Sequence, residues 1–241
     1  MKLTDFEALT FDCYGTLIDW ETGIWNALQP LVTQTGRQIG REEALVEFSE
    51  HESAQEHDTP SLRYDQLLSA THARMARAYG VRVIADMNIR FGGSVPDWPA
   101  FTDSAEALAY LKRHYKLVIL SNVDRTSFAS SNKKLGVTFD AIYTAEDIGS
   151  YKPDAANFDY LVRHMASDLG VAKDRILHTA QSLFHDHVPA EAAGLARCWI
   201  NRRGEKGLGS GATKAVARMP KVHFEFPTLA AMAEAHRKTA G

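Results

Sequence analysis

Hydrophobic and polar positions change their period twice along the chain. Residues 7–12, EALTFD, make a short apolar run that closes on a turn, the pattern of a buried strand. From 22 to 79 the apolar positions fall at helical spacing instead. TGIWNALQPLVTQTG, REEALVEFSEHESAQEH and SLRYDQLLSATHARMARAYG each carry an apolar stripe, and the first and third end on a glycine. No strand signal interrupts them. The Gly/Pro-rich loop GGSVPDWPAF follows, and then strands and helices alternate. SAEALAYLKRH reads as a helix, KLVILS as a strand, RTSFASSNKKLG as a helix, FDAIYTAE as a strand and PDAANFDYLVRHMASDLG as a helix. RILHTA is a strand, PAEAAGLA a helix, RCWIN and HFEF strands, and TLAAMAEAHRK the last helix.

This pattern predicts an α/β protein with a parallel sheet covered on both faces, and a helical insertion early in the chain. Continuous apolar strands such as KLVIL suit burial on both sides. In such sheets chemistry gathers beyond the carboxyl ends of the strands. The residues just past those ends are Asp12-Cys13-Tyr14, Ser121-Asn122-Val123-Asp124, Ala145-Glu146-Asp147 leading to Lys152, and Gln181-Ser182 running to Asp186. Two carboxylates, a hydroxyl with an amide, and a lysine are expected to converge on one crevice.

Composition narrows the function. Apolar residues make up 45% of 241 and charged residues 24%, an ordinary globular balance. The 27 basic residues nearly cancel the 30 acidic ones and no basic stripe stands out, so neither nucleic acid nor an anionic membrane is an expected partner. No run approaches the ~18 apolar residues of a membrane span. The segment MKLTDFEALTFD is acidic early and runs directly into the first strand, unlike a cleaved signal. Cys13 and Cys198 make no disulfide framework, which favours a reducing cytoplasm.

The four stretches at the strand ends resemble the motifs of the haloacid dehalogenase superfamily: FDCYGTL the first, LSNVD the second, Lys152 in SYKPD the third and AQSLFHDHVPAEAAG the fourth. The resemblance covers nearly the whole chain. It implies a Rossmann-like core, residues 1–16 and 96–241, with a helical cap inserted over 17–95. Most members are magnesium phosphatases with a second aspartate two places after the first and further acids in the fourth motif. Here Tyr14 and Gln181 stand at those places. A hard divalent cation wants several anionic oxygens, and phosphoryl transfer needs its charge. The phosphatase reading is therefore disfavoured, and neither a metal nor a cofactor is expected.

A tyrosine at that place resembles the 2-haloacid dehalogenase type, a branch that uses no metal. The resemblance implies that Asp12 attacks the α-carbon of a small carboxylic acid, displaces the leaving group and forms an ester that water hydrolyses. Lys152 would hold Asp12 ionised and attract the anionic substrate. Thr16, Ser121, Asn122 and the backbone N–H groups after Asp12, at Cys13 and Tyr14, would bind the substrate carboxylate and ester oxygen. Asp186 would pair with Lys152 or position the water, and Trp20 would wall the pocket. Phe158, Ser182, Phe184 and His185 complete the expected lining.

The chain departs from that branch in one respect. Members acting on 2-haloacids commonly carry an arginine from an early cap helix to receive halide, and the comparable helix here reads EFSEHESAQEH. A relative that opens the strained ring of azetidine-2-carboxylate displaces an amine instead. Acids or histidines among Glu50, His51, Glu52 and His185 could serve such a leaving group. The leading expectation is an (S)-2-haloacid dehalogenase, with azetidine-2-carboxylate hydrolysis as the alternative and a non-catalytic binding module the reading outside enzymes.

Blander roles compete at several positions. Ser121 and Asn122 are residue types that cap helices, and Tyr14 could simply pack under the cap. Strand alternation points the Cys13 side chain away from Asp12, into the packing. His185 and His187 lack a third ligand at metal-binding spacing. The glycine-rich GEKGLGSGATKA (204–215) lacks G-x-x-x-x-G-K-[ST] and reads as a mobile surface loop. The apolar faces of the cap helices would permit a homodimer.

Overall fold

In a computed structural model, which describes residues 1–204, 214 and 216–240, the first apolar run becomes β1 (Ala8–Phe11) at the centre of a sheet. The other strands are β2 (Lys116–Ser121), β3 (Ala141–Thr144), β4 (Ile176–Ala180), β5 (Ala196–Ile200) and β6 (Phe224–Phe226). All pair in parallel in the order β3-β2-β1-β4-β5-β6. Apart from Gly204 and Lys214, the glycine-rich segment lies outside the described residues.

Alternation along the strands divides the core into two layers. Leu9, Phe11, Leu117, Ile119 and Leu177 belong to one buried cluster, while Ala8, Val118, Leu120 and Ile176 belong to another. Each buried Leu, Ile or Phe contributes about 1.5–3 kcal/mol relative to exposure. That is why the central strands β1 and β2 are mostly apolar on both faces. The chain adds β2 and β3 on one side of β1 and then crosses to β4 on the other. The order therefore reverses beside β1, and the crevice at a reversal opens at the strands' carboxyl ends.

Between β1 and β2 lie α1 (Trp20–Thr35), α2 (Arg41–Asp58), α3 (Tyr64–Ala78), α4 (Ala85–Gly92) and α5 (Ser104–Leu111). Asp19 caps α1 by accepting from the Thr22 N–H and hydroxyl. α4 falls where the sequence predicts no element. Its eight residues are too short to show a clear stripe, and packing fixes them. Phe91 lies against Phe48 and His72. A Cβ at Gly92 would sit 2.1 Å from Ser69 Oγ and 2.3 Å from the Asp65 carbonyl oxygen, so only glycine allows α3 and α4 so close.

The remaining helices connect the later strands. They are α6 (Arg125–Leu135), α7 (Ala145–Ile148), α8 (Ala155–Leu169), α9 (Val188–Ala192) and α10 (Leu229–Ala240). FDAIYTAE, expected as one strand, divides at Thr144: its last two residues begin α7, which Thr144 caps. A single π turn, Leu183–His187, precedes α9. Among the described residues no helix is long and apolar enough to cross a membrane.

Candidate active site

Asp12 follows β1 directly, its N–H donating to the Thr179 carbonyl of β4, so the sheet itself aims the side chain into the crevice. The chain must then turn sharply. Leu17 and Ile18 N–H groups both donate to the Cys13 carbonyl, and Gly15 takes φ 90°, a conformation that strains any residue with a Cβ. A Cβ there would also stand 3.0 Å from Trp20 Nε1 and 3.2 Å from Gln181 Oε1. Arg202 braces the turn, donating through Nε and Nη2 to the Thr16 carbonyl and through Nη1 to Asp103.

Lys152 is 1% exposed, and its ammonium donates to Asp12 Oδ1 at 2.9 Å, Asp186 Oδ1 at 2.7 Å and the Leu120 carbonyl at 3.0 Å. Three acceptors satisfy its three protons. Asp186 Oδ1 also accepts from His178 Nε2 at 3.0 Å, and His178 Nδ1 lies 2.9 Å from the Thr10 hydroxyl. Burial alone would raise Asp186, but Lys152 and His178 reverse that and hold its carboxyl well below the usual range. Burial likewise pushes Asp12 up, with the Lys152 ammonium pulling against it. Lys152 itself is raised: burial disfavours its charge, and the two aspartates more than restore it.

Asp12, Tyr14, Trp20, Ser121, Asn122, Lys152, Gln181, Ser182, His185 and Asp186 line one cavity of about 40 Å³, together with Glu52 and Glu56 of α2 and Tyr64 of α3. Ser121 Oγ and Asp186 Oδ2 are buried there without a hydrogen-bond partner among the described residues. A wider cleft of about 1000 Å³ shares Glu56 and Lys152 with this cavity and is also lined by Glu50, Tyr151, Phe184 and Lys214. Among the described residues no group of three or more His, Cys, Asp or Glu side chains could hold a metal ion.

Several expected roles shift. Thr16 does not reach the cavity: its hydroxyl donates to Asp12 Oδ2 at 2.8 Å and accepts from the Gln181 N–H at 2.9 Å, so it positions the carboxylate. Tyr14 presents its ring, while its hydroxyl turns away to Ser131 Oγ, 3.1 Å distant. Phe158, expected in the lining, is instead a core residue packed edge-on against His178. The Cys13 side chain is fully buried in the core, which leaves only its backbone for any contact with substrate. Phe184 lines the cleft, Glu50 does too, and His51 pairs with Glu47 at 3.5 Å.

Glu52 and Glu56 are 4% and 8% exposed. Glu52 accepts from the Tyr64 hydroxyl at 2.9 Å, and Glu56 accepts from Asn122 Nδ2 at 3.1 Å. Burial pushes the Glu52 carboxyl up to about 8, with Tyr64 pulling back. Burial and then repulsion from Glu52 push Glu56 well above the usual range. His185 Nε2 lies 3.7 Å from Glu56 Oε2, and burial lowers His185 to about 4, so the imidazole is neutral. Glu56, Tyr64 and His178 escape sequence reasoning. The available signal for Glu56 is that Leu45, Phe48 and Glu52 set a helical face which Glu56 continues.

Comparison with known proteins identifies the family and the fold. The family model for haloacid dehalogenase-like hydrolases matches residues 6–179. The (S)-2-haloacid dehalogenase of Pseudomonas putida is 24% identical over 209 residues, 83% of this chain and 87% of that one. The L-2-haloacid dehalogenase of Xanthobacter autotrophicus with chloropropionic acid covalently bound superposes with TM-score 0.78 at 17% identity, over 96% of this chain and 98% of that one. Another L-2-haloacid dehalogenase superposes with TM-score 0.75 at 22% identity, over 98% and 100%. With the family model spanning most of its length, and a carboxylate, a lysine and a second carboxylate joined at the strand ends, the chain belongs to the haloacid dehalogenase-like hydrolases.

Proposed function

We propose that the protein is a metal-independent hydrolase that displaces a leaving group from the α-carbon of a small carboxylic acid through an ester on Asp12. The observation that carries this reading is the Lys152 ammonium held between Asp12 and Asp186. It favours an ionised Asp12 in a small cavity, where a carboxylate partly stripped of water is a stronger nucleophile. Thr16 and Lys152 each engage one carboxylate oxygen and so fix its orientation. Ser121 Oγ offers a free hydroxyl to the substrate, and Asp186 Oδ2 a free acceptor for the hydrolytic water. Tyr14 and Gln181, at the places where metal-dependent relatives carry acids, support chemistry without a metal.

The relatives' names put (S)-2-haloacids first among substrates. Displacement of halide needs no proton donor, so the core machinery suffices for it. One observation favours the second reading, hydrolysis of azetidine-2-carboxylate. The helix wall facing Asp12 carries two carboxyl groups and no arginine, which suits a nitrogen better than an anion. Two turnover assays with chelator present test both readings: chloride release from 2-chloropropionate and ring opening of azetidine-2-carboxylate. In water labelled with oxygen-18, a single turnover should place label in the Asp12 carboxylate, because water attacks the ester carbonyl. Turnover that leaves Asp12 unlabelled refutes the ester.

A further inference from the structure

We propose that Glu52 and Glu56 form a carboxyl pair that binds a cationic nitrogen on the substrate's α-carbon and protonates it once the Cα–N bond has broken, which makes small strained rings bearing a 2-carboxylate the substrate class. The inference rests on the Asp12 ester reading and assigns the leaving group within it.

The pair sits one turn apart on α2 and closes the same cavity that Asp12 opens into. Groups facing it from other elements are Tyr64 on α3, Asn122, Tyr151 and Lys152 on the core loops, and His185 in the π turn. Among the described residues neither glutamate is hydrogen-bonded by a lysine or arginine: their partners are a phenol and an amide. Burial favours the protonated form of both acids against the weaker pull of Lys152 on Glu56, and a halide leaving as an anion would meet two carboxyl groups on this wall. A ring ammonium supplies the missing charge and lets one of the two carboxyls ionise against it. Ser121 Oγ and Asp186 Oδ2, buried in the same cavity and without partners among the described residues, are free to meet a ligand there.

The chemistry balances without any further reactant. Asp12 forms the Cα–O bond as the Cα–N bond breaks, and the ring nitrogen keeps the electron pair and leaves as a neutral primary amine. The protonated member of the pair passes its proton to that amine, giving an ammonium. Water then attacks the Asp12 ester carbonyl and releases a 2-hydroxy acid. Its surplus proton restores the carboxyl pair. An unstrained amine is too poor a leaving group for this displacement, so ring strain supplies the driving force.

Binding separates the pair's role from the Asp12 chemistry. In Asp12→Asn protein, calorimetric titration should show azetidine-2-carboxylate binding at least about tenfold tighter than cyclobutanecarboxylate, the same ring without nitrogen. Adding Glu52→Gln and Glu56→Gln together should erase that preference. Equal binding of the two acids, or a preference that survives both substitutions, overturns the inference. With Asp12 intact, Glu56→Gln should cut ring opening by about 100-fold or more. Chloride release without ring opening by the parent protein overturns this inference alone. Failure to turn over either acid overturns the Asp12 ester as well.

Discussion

On the sheet side of the cavity, Asp12 and Asp186 share one ammonium, and every close contact of that ammonium is a hydrogen bond. On the helix side, Glu52 and Glu56 are about as deeply buried, but among the described residues their hydrogen bonds come from a phenol and an amide, and His185 lies 3.7 Å from Glu56. The same functional group responds in opposite directions: Asp186 is held well below the usual range, whereas Glu52 is pushed up to about 8. Burial is common to both walls, so the difference lies in whether a counter-charge arrived with it. On the sheet wall the ammonium works against burial, reversing its effect at Asp186 and offsetting part of it at Asp12. The helix wall is built to hold protons.

Removing the anion should have the largest effect. Asp12→Asn is expected to lower kcat by at least about 10⁴-fold, read in whichever turnover assay is active, because an amide cannot form the ester that the reaction passes through. Lys152→Met tests the pairing directly. It leaves Asp12 and Asp186 buried without their cation, and thermal unfolding should show a loss of about 3–5 kcal/mol together with the loss of turnover. A stability near that of the parent would mean that the two walls do not differ as described.

The helix wall makes a prediction with the opposite sign in pH. Below about pH 4.5 the Glu52 carboxyl is protonated both folded and unfolded, so it adds no pH dependence. Between 4.5 and about 8 the unfolded chain releases that proton while the folded protein keeps it. Stability should therefore fall as pH rises, by up to ~1.4 kcal/mol per pH unit, and the slope should end once the folded group ionises. Glu56 adds a slope of the same sign. Denaturant titrations of Glu52→Gln at pH 5 and pH 8 should show a smaller loss than the parent; an unchanged difference would place Glu52 among the ionised acids. The smallest effect is expected at Tyr14→Phe. The hydroxyl bonds Ser131 and not the cavity, so about 1 kcal/mol of stability should go while kcat stays within a few-fold.

How much of this was readable beforehand differs between the walls. The strands of the sheet are apolar runs ended by turns, and a carboxylate, Ser-Asn and a second acid follow them directly. Burial, topology and the crevice then bring Asp12, Ser121, Lys152 and Asp186 together by the general rule for parallel sheets. His178 stayed hidden because a histidine inside an apolar strand carries no sign of what it bonds. The helix wall was harder still. α2 is polar nearly all round, and its buried face runs from Leu45 and Phe48 into Glu52, Gln55 and Glu56. Hydropathy assigns those last three to solvent.

The sequence by itself thus determined the α/β architecture, the early run of helices and the four strand-end motifs, because apolar period and local turn chemistry are properties of the chain alone. Tertiary structure decided which acids are buried and with what charge. That depends on groups far away in sequence, such as Tyr64 12 residues from Glu52 and Asn122 66 residues from Glu56, and on Lys152 reaching across 140 residues to Asp12. A carboxyl group's proton affinity is set by the charges packed against it, and those are fixed only when the chain has folded.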